Sequence, residues 1–148
     1  MKLYTAPDPD GFLFSLISSS MFLTWQKTVG GRLKSDPSFS ITLVWNNFPL
    51  PDMSAPARAK IIQAGEAVVK ARQLYPNRTL AQHYSANAMS SELLDAHAAL
   101  DRLVDRAFGI GKANPGFRER QEVLFSCYAE LASGLLAGGP KKKRARTT

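Results

Sequence analysis

The chain has 148 residues, 45% of them apolar and 21% charged. That is the balance of a globular protein and excludes disorder of the whole chain. The formal charge of +7 is concentrated at one end, since Lys141, Lys142, Lys143, Arg144 and Arg146 supply five of the 19 basic residues and leave 14 against 12 acidic ones before them. Nucleic-acid binding therefore has to be argued from a local patch and not from the total. Cys127 is the single cysteine, which excludes an intrachain disulfide and a thiolate metal cluster. With Leu124 and Leu131 at helical spacing around it, a buried thiol and a cytoplasmic location are expected.

In chain order, Pro7, Pro9 and Gly11 break the start, with Asp8 and Asp10 available as caps. From Phe12, the apolar residues Phe12, Leu16, Ile17, Phe22, Trp25 and Val29 predict one helix, stopped by Gly30 and Gly31. The run from Phe12 to Leu23 holds Ser15, Ser18, Ser19 and Ser20 and follows no basic segment, so neither a membrane span nor a leader is read there. Phe39 to Trp45 is rich in β-branched and aromatic residues and predicts a strand, with Phe39, Ile41, Leu43 and Trp45 on one face. No second strand is evident nearby, and a lone strand cannot satisfy its backbone, which points to a truncated domain.

Phe48-Pro49-Leu50-Pro51 reads as an extended linker. Ser54 is then a helix cap with Pro56 in the first turn, and Ile61, Ile62, Gly65, Val68, Val69 and Arg72 mark the packed side of a helix ended by Pro76. Thr79-Leu80-Ala81-Gln82 fits a capping box opening a short helix through Tyr84. Ser90 or Ser91 opens the next helix, whose face is Leu93, His97, Leu100, Val104, Ala107 and Phe108, stopped by Gly109. A last helix carries Phe117, Leu124, Tyr128, Leu131 and Leu135 on one side, and Gly138-Gly139-Pro140 ends it.

The predicted fold is mainly α: a helix-plus-strand region over residues 1–53, a helical domain over 54–137 and a disordered basic tail over 138–148. Within this chain no catalytic residue, metal site or cofactor site is expected. Gly109-Ile110-Gly111 lacks the preceding strand of a nucleotide loop, and His83 and His97 have no companions for a metal. His97 has Asp101 one turn later, which could orient its imidazole, and is read as a half-buried, hydrogen-bonded helix residue and not as a catalytic one. The candidate DNA-binding residues are Lys27, Arg32, Lys34, Asp36, Asn46 and Asn47. Long cations bind phosphates, while Lys to guanine and Asp to the cytosine amino group are pairings the major groove permits. In one extended segment Lys34 and Asp36 would point the same way and read one G·C pair. The plain alternatives are a solvated turn pair for Lys34 and Asp36, an Asx turn for Asn46 and Asn47, and core packing for Trp45 and Phe48.

Four sets of residues carry a resemblance: Phe14 to Met21-Phe22 and Trp25; Thr28-Val29-Gly30-Gly31-Arg32-Leu33; Val44-Trp45-Asn46-Asn47-Phe48-Pro49; and Ala96-His97 through Leu100-Asp101 to Val104-Asp105, closed by Arg120 to Leu131. In this order they resemble the C-terminal part of MmeI-like DNA methyltransferases, combined restriction-modification enzymes that methylate adenine. The resemblance implies that residues 1–53 end an α+β target-recognition domain and that the rest helps grip double-stranded DNA. It also implies a missing methyltransferase core as partner, which would bind S-adenosylmethionine and carry the Asn-Pro-Pro-aromatic motif absent here, with a nuclease part as a further possibility of the plan. Residues after the Gly-Arg pair would choose a base pair, the positions of Lys34 and Asp36. The rival readings are a helical protein-interaction module and an inactive truncated remnant. Pro140 to Arg144 looks like a nuclear-import signal but is read as a tail touching DNA nonspecifically.

Overall fold

The computed structural model describes residues 4–33, 36–37 and 39–136, with Arg32, Leu33, Asp36 and Pro37 described by their backbone alone. The mainly helical architecture expected from the sequence is present, and no helix among the described residues is long and apolar enough to cross a membrane.

Where one helix was expected after Gly11 there are two, α1 (Phe12–Ile17) and α2 (Ser20–Val29). Asp8 and Asp10 act as anticipated: Asp8 accepts from the amides of Leu13 at 3.1 Å and Phe14 at 2.9 Å, and Asp10 from that of Phe12 at 3.1 Å. Three of the orphan donors at the start of α1 are thereby satisfied. The break follows from serine chemistry. Ser19 adopts an extended backbone (φ −85°, ψ 152°), and its hydroxyl donates to the Leu16 carbonyl at 2.6 Å and accepts from the Phe22 amide at 3.3 Å. A serine that offers the backbone local partners competes with helix continuation and caps a new start.

Gly30 caps α2, and Gly31 has φ +35°. An antiparallel two-stranded ribbon follows, β1 (Arg32–Leu33) and β2 (Asp36–Pro37), in which Arg32 pairs with Pro37 and Leu33 with Asp36. The strand expected over Phe39 to Trp45 is absent: Ile41–Trp45 forms a π-helical turn. The Trp45 amide donates to the Ser40 carbonyl at 3.3 Å and that of Asn46 to the Ile41 carbonyl at 2.9 Å, both spanning five residues. Ser40 caps the turn through the Leu43 amide at 3.3 Å. Buried Trp25 donates its indole N–H to the Val44 carbonyl at 2.8 Å. With no strand beside it among the described residues, the segment satisfies its backbone by coiling, which overrides its β propensity.

The helical region consists of α3 (Ala55–Gln73), α4 (Leu80–His83), α5 (Ser91–Ala107) and α6 (Phe117–Leu136). Its starts are those read from the sequence. Ser54 accepts from Ala57 N, Ser90 from Leu93 N, and Thr79 with Gln82 completes a capping box. A single core joins the two regions: Phe12, Leu16, Met21, Phe22 and Trp25 pack with Ile61, Val68, Leu93, Leu100, Val104, Phe108 and Leu124. α1 lies close on α3 at Gly65, where an added Cβ would lie 2.8 Å from that of Ser15.

One expected face fails. Of the apolar side assigned to α6, only Leu124 is buried, while Phe117, Tyr128, Leu131 and Leu135 are exposed. Tyr128 still meets the Trp25 ring, but beyond it the apolar residues Leu131, Leu135 and Leu136 are exposed among the described residues. Cys127 is half-buried rather than enclosed, and partial burial pushes its thiol pKa up. The tail expected at 138–148 lies outside the described residues.

Candidate nucleic-acid interface

Lys27 sits in the last turn of α2 with its side chain in solvent. Three residues later the chain turns through Gly30 and Gly31 into the ribbon that carries Arg32 on β1 and Asp36 on β2. A cation at a helix C-terminus is favourable in itself, so the position of Lys27 stabilises α2 while leaving its ammonium free to meet a phosphate. Lys34 lies outside the described residues. Leu33 pairs antiparallel with Asp36, and the shared direction expected for Lys34 and Asp36 falls on side chains outside the described residues.

The two asparagines part company. Asn46 closes the π-helical turn with its backbone and is exposed. Asn47 turns its amide back on the chain, donating from Nδ2 to the Thr42 carbonyl at 2.7 Å and the Leu43 carbonyl at 3.3 Å. Asn47 thus serves the local backbone, by donating backwards to the turn and not through the Asx turn that the sequence offered as the plain alternative. Trp45 and Phe48 pack as core-flanking residues: Phe22 lies edge-on to both rings, and Phe48 also meets Trp25 and Phe108. Phe48 thus bridges the π-helical turn, α2 and α5.

The geometry also assigns residues that sequence reasoning missed or misplaced. Asp101 does not orient His97 through a hydrogen bond. Its carboxylate accepts from the Ser20 amide at 2.7 Å and the Ser20 hydroxyl at 2.6 Å, capping α2 from a position 81 residues away. A hydrogen bond to a charged acceptor contributes about 1.5–3 kcal/mol, and a carboxylate at a helix N-terminus also offsets the macrodipole. At the other end of α2, Gln121 of α6 donates to the Thr28 hydroxyl at 3.2 Å. Next to it, Arg120 makes a two-pronged pair with Asp105 at 2.8 and 2.9 Å, with side chains only 12% and 3% exposed. That hydrogen bond raises the guanidinium pKa further, and it fixes α6 on α5. Only Asp101 at i+4 from His97 was visible in the sequence; a contact across 81 residues leaves no local signal.

The partner of His97 is Tyr84, whose hydroxyl lies 2.8 Å from Nε2 and also accepts from Arg72 Nε at 3.0 Å. Partial burial lowers the His97 pKa, with Arg72 acting in the same sense and Asp101 against it. His83 is buried on α4. Among the described residues no group of three His, Cys, Asp or Glu side chains comes together to hold a metal.

Known proteins match this arrangement. The family model for the MmeI target recognition domain matches residues 1–52, and that for the MmeI C-terminal domain matches residues 54–136. DNA methyltransferase A of Bacillus subtilis (strain 168) is 36% identical over 129 residues, which is 87% of this chain and 14% of that protein. A solved structure of the Type IIL restriction-modification enzyme MmeI in complex with DNA is similar with a TM-score of 0.81 and 38% identity, covering 86% of this chain and 17% of that one. The chain thus spans less than a fifth of the length of these two proteins.

Proposed function

The chain belongs to the MmeI family, and from that membership we propose that it reads and grips double-stranded DNA within an adenine-specific DNA methyltransferase of restriction-modification type. In this reading the catalytic core, with its S-adenosylmethionine site, is contributed by a methyltransferase domain beyond these residues and packs against them. The observation that carries the reading is the match of a target-recognition model to residues 1–52, the stretch in which exposed Lys27 leads through two glycines into the Arg32–Pro37 ribbon. Arg32 and Lys27 serve phosphates, Asn46 adds an exposed amide, and Lys34 with Asp36 reads base edges. Asn47 contributes by holding the turn that presents Asn46.

Lysine acetylation with and without a mixed-sequence duplex, read by mass spectrometry, tests this. DNA is expected to slow modification of Lys27 and Lys34 severalfold. Protection confined to Lys141, Lys142 and Lys143 would overturn the assignment.

One observation favours a second reading, a helical protein-interaction module. Phe125, Tyr128, Leu131, Leu135 and Leu136 of α6 are exposed, the last two by 85% and 89%. Apolar side chains clustered on one helix mark a surface that docks on protein.

A further inference from the structure

The geometry points to Asp101 and Gln121 as positioning residues for target recognition: clamps in the helical region that set the direction in which α2 presents the Gly30–Pro37 segment. This rests on the DNA-reading function proposed above and goes beyond it by placing control of specificity in side chains remote from the ribbon. Both ends of α2 are tied to the helical region by side-chain hydrogen bonds, through Ser20 to Asp101 of α5 and through Thr28 to Gln121 of α6. The middle is pinned by Trp25, which is buried, bonded to the Val44 carbonyl, and in ring contact with Tyr128 of α6. The Arg120–Asp105 pair, adjacent in sequence to Gln121, holds α6 against α5, so the two clamps belong to one frame.

A ten-residue helix is about 15 Å long, so a small tilt at its capped start moves its far end by an ångström or more. Recognition of base edges tolerates less than that, because hydrogen bonds weaken steeply outside a narrow range of distance and angle. Asp101 is suited to set the tilt. It replaces two contacts that water would otherwise supply to Ser20, and both are short and charge-assisted.

The test is selection from a randomised duplex pool by the full chain, comparing wild type, Asp101→Ala, Asp101→Asn, Gln121→Ala and, as a destabilised reference outside α2, Gly65→Ala. The expected result is a base preference flattened at least threefold at one or more positions in Asp101→Ala and Gln121→Ala. Asp101→Asn, whose Oδ1 still accepts from the Ser20 amide while its Nδ2 donates to the Ser20 hydroxyl oxygen, stays within twofold of wild type, and Gly65→Ala keeps the wild-type profile. Should Asp101→Ala not fold, Gln121→Ala decides alone. Wild-type preference in the folded alanine variants would overturn the inference. A flat wild-type profile would instead sink the DNA reading, and amide exchange of α2 then decides the clamp: opening well beyond that of Gly65→Ala supports it, and equal opening refutes it.

Discussion

Residues 12–49 and residues 54–136 hold their shapes by different means. In the first stretch, α1 and α2 have only six and ten residues, below the roughly 12–15 at which isolated helices become stable. Ser19 caps α2 locally, but both helices also draw on groups beyond themselves: Asp8 at the start of α1, Asp101 at the start of α2, Gln121 at its end. In the second stretch, α3 and α5 have 19 and 17 residues and supply their own caps in Ser54 and Ser90. The recognition segment is thus mounted on a helical frame, and its order depends on that frame more than the reverse.

The largest effect that can break this comparison is expected from Arg120→Ala. It leaves the Asp105 carboxylate buried without its cation and costs about 3–5 kcal/mol. A thermal melt followed by both near-UV and far-UV dichroism should show one cooperative loss, because the two stretches share a core. Separate transitions would mean that they fold independently. Gly65→Ala comes next, at about 1–3 kcal/mol, since its Cβ would meet Ser15 at the α1–α3 crossing, and the melt should stay single.

On the recognition side, if the chain works joined to a methyltransferase core as proposed, the double exchange Lys34→Glu with Asp36→Arg in that joined protein should alter one target position by about 1–3 kcal/mol of discrimination and leave methylation chemistry intact. Methylation-site sequencing reads this, and an unchanged target would remove both residues from base reading. Smallest is the pH response of His97. Its folded pKa lies below the ordinary value of 6.5, so the unfolded chain takes up the proton first. Its contribution to stability is complete above that value and is lost as pH falls from there through the folded pKa. In His97→Gln, denaturant midpoints measured across this range should lose that part of the slope.

The same division explains what was legible in the sequence. Caps at Ser54, Thr79 and Ser90 act over three residues, so the helical region could be read from local chemistry. Phe39 to Trp45 could not be, because its pattern fits a strand. The deciding contacts are the Ser40 cap, the Asn47 amide and the indole of Trp25, which reaches Val44 from 19 residues away. The resemblance carried by Gly30-Gly31-Arg32, Trp45-Asn46-Asn47 and Leu100-Asp101 was sound. The physical work of Asp101 and Asp105 was hidden, since Ser20 and Arg120 are brought to them only by tertiary structure. On α6 the apolar period was real but overextended, as it continues past the last turn that meets the core.

The most direct test of the central claim is a salt-dependent titration of duplex DNA with residues 1–148, with a version ending at Gly139, and with that version carrying Arg32→Ala and Lys34→Ala. The account predicts that affinity persists without the basic tail, falls on the double substitution, and loses about 0.9 of logarithmic salt slope for each phosphate contact removed. Affinity that disappears with the tail and ignores Arg32 and Lys34 would contradict it.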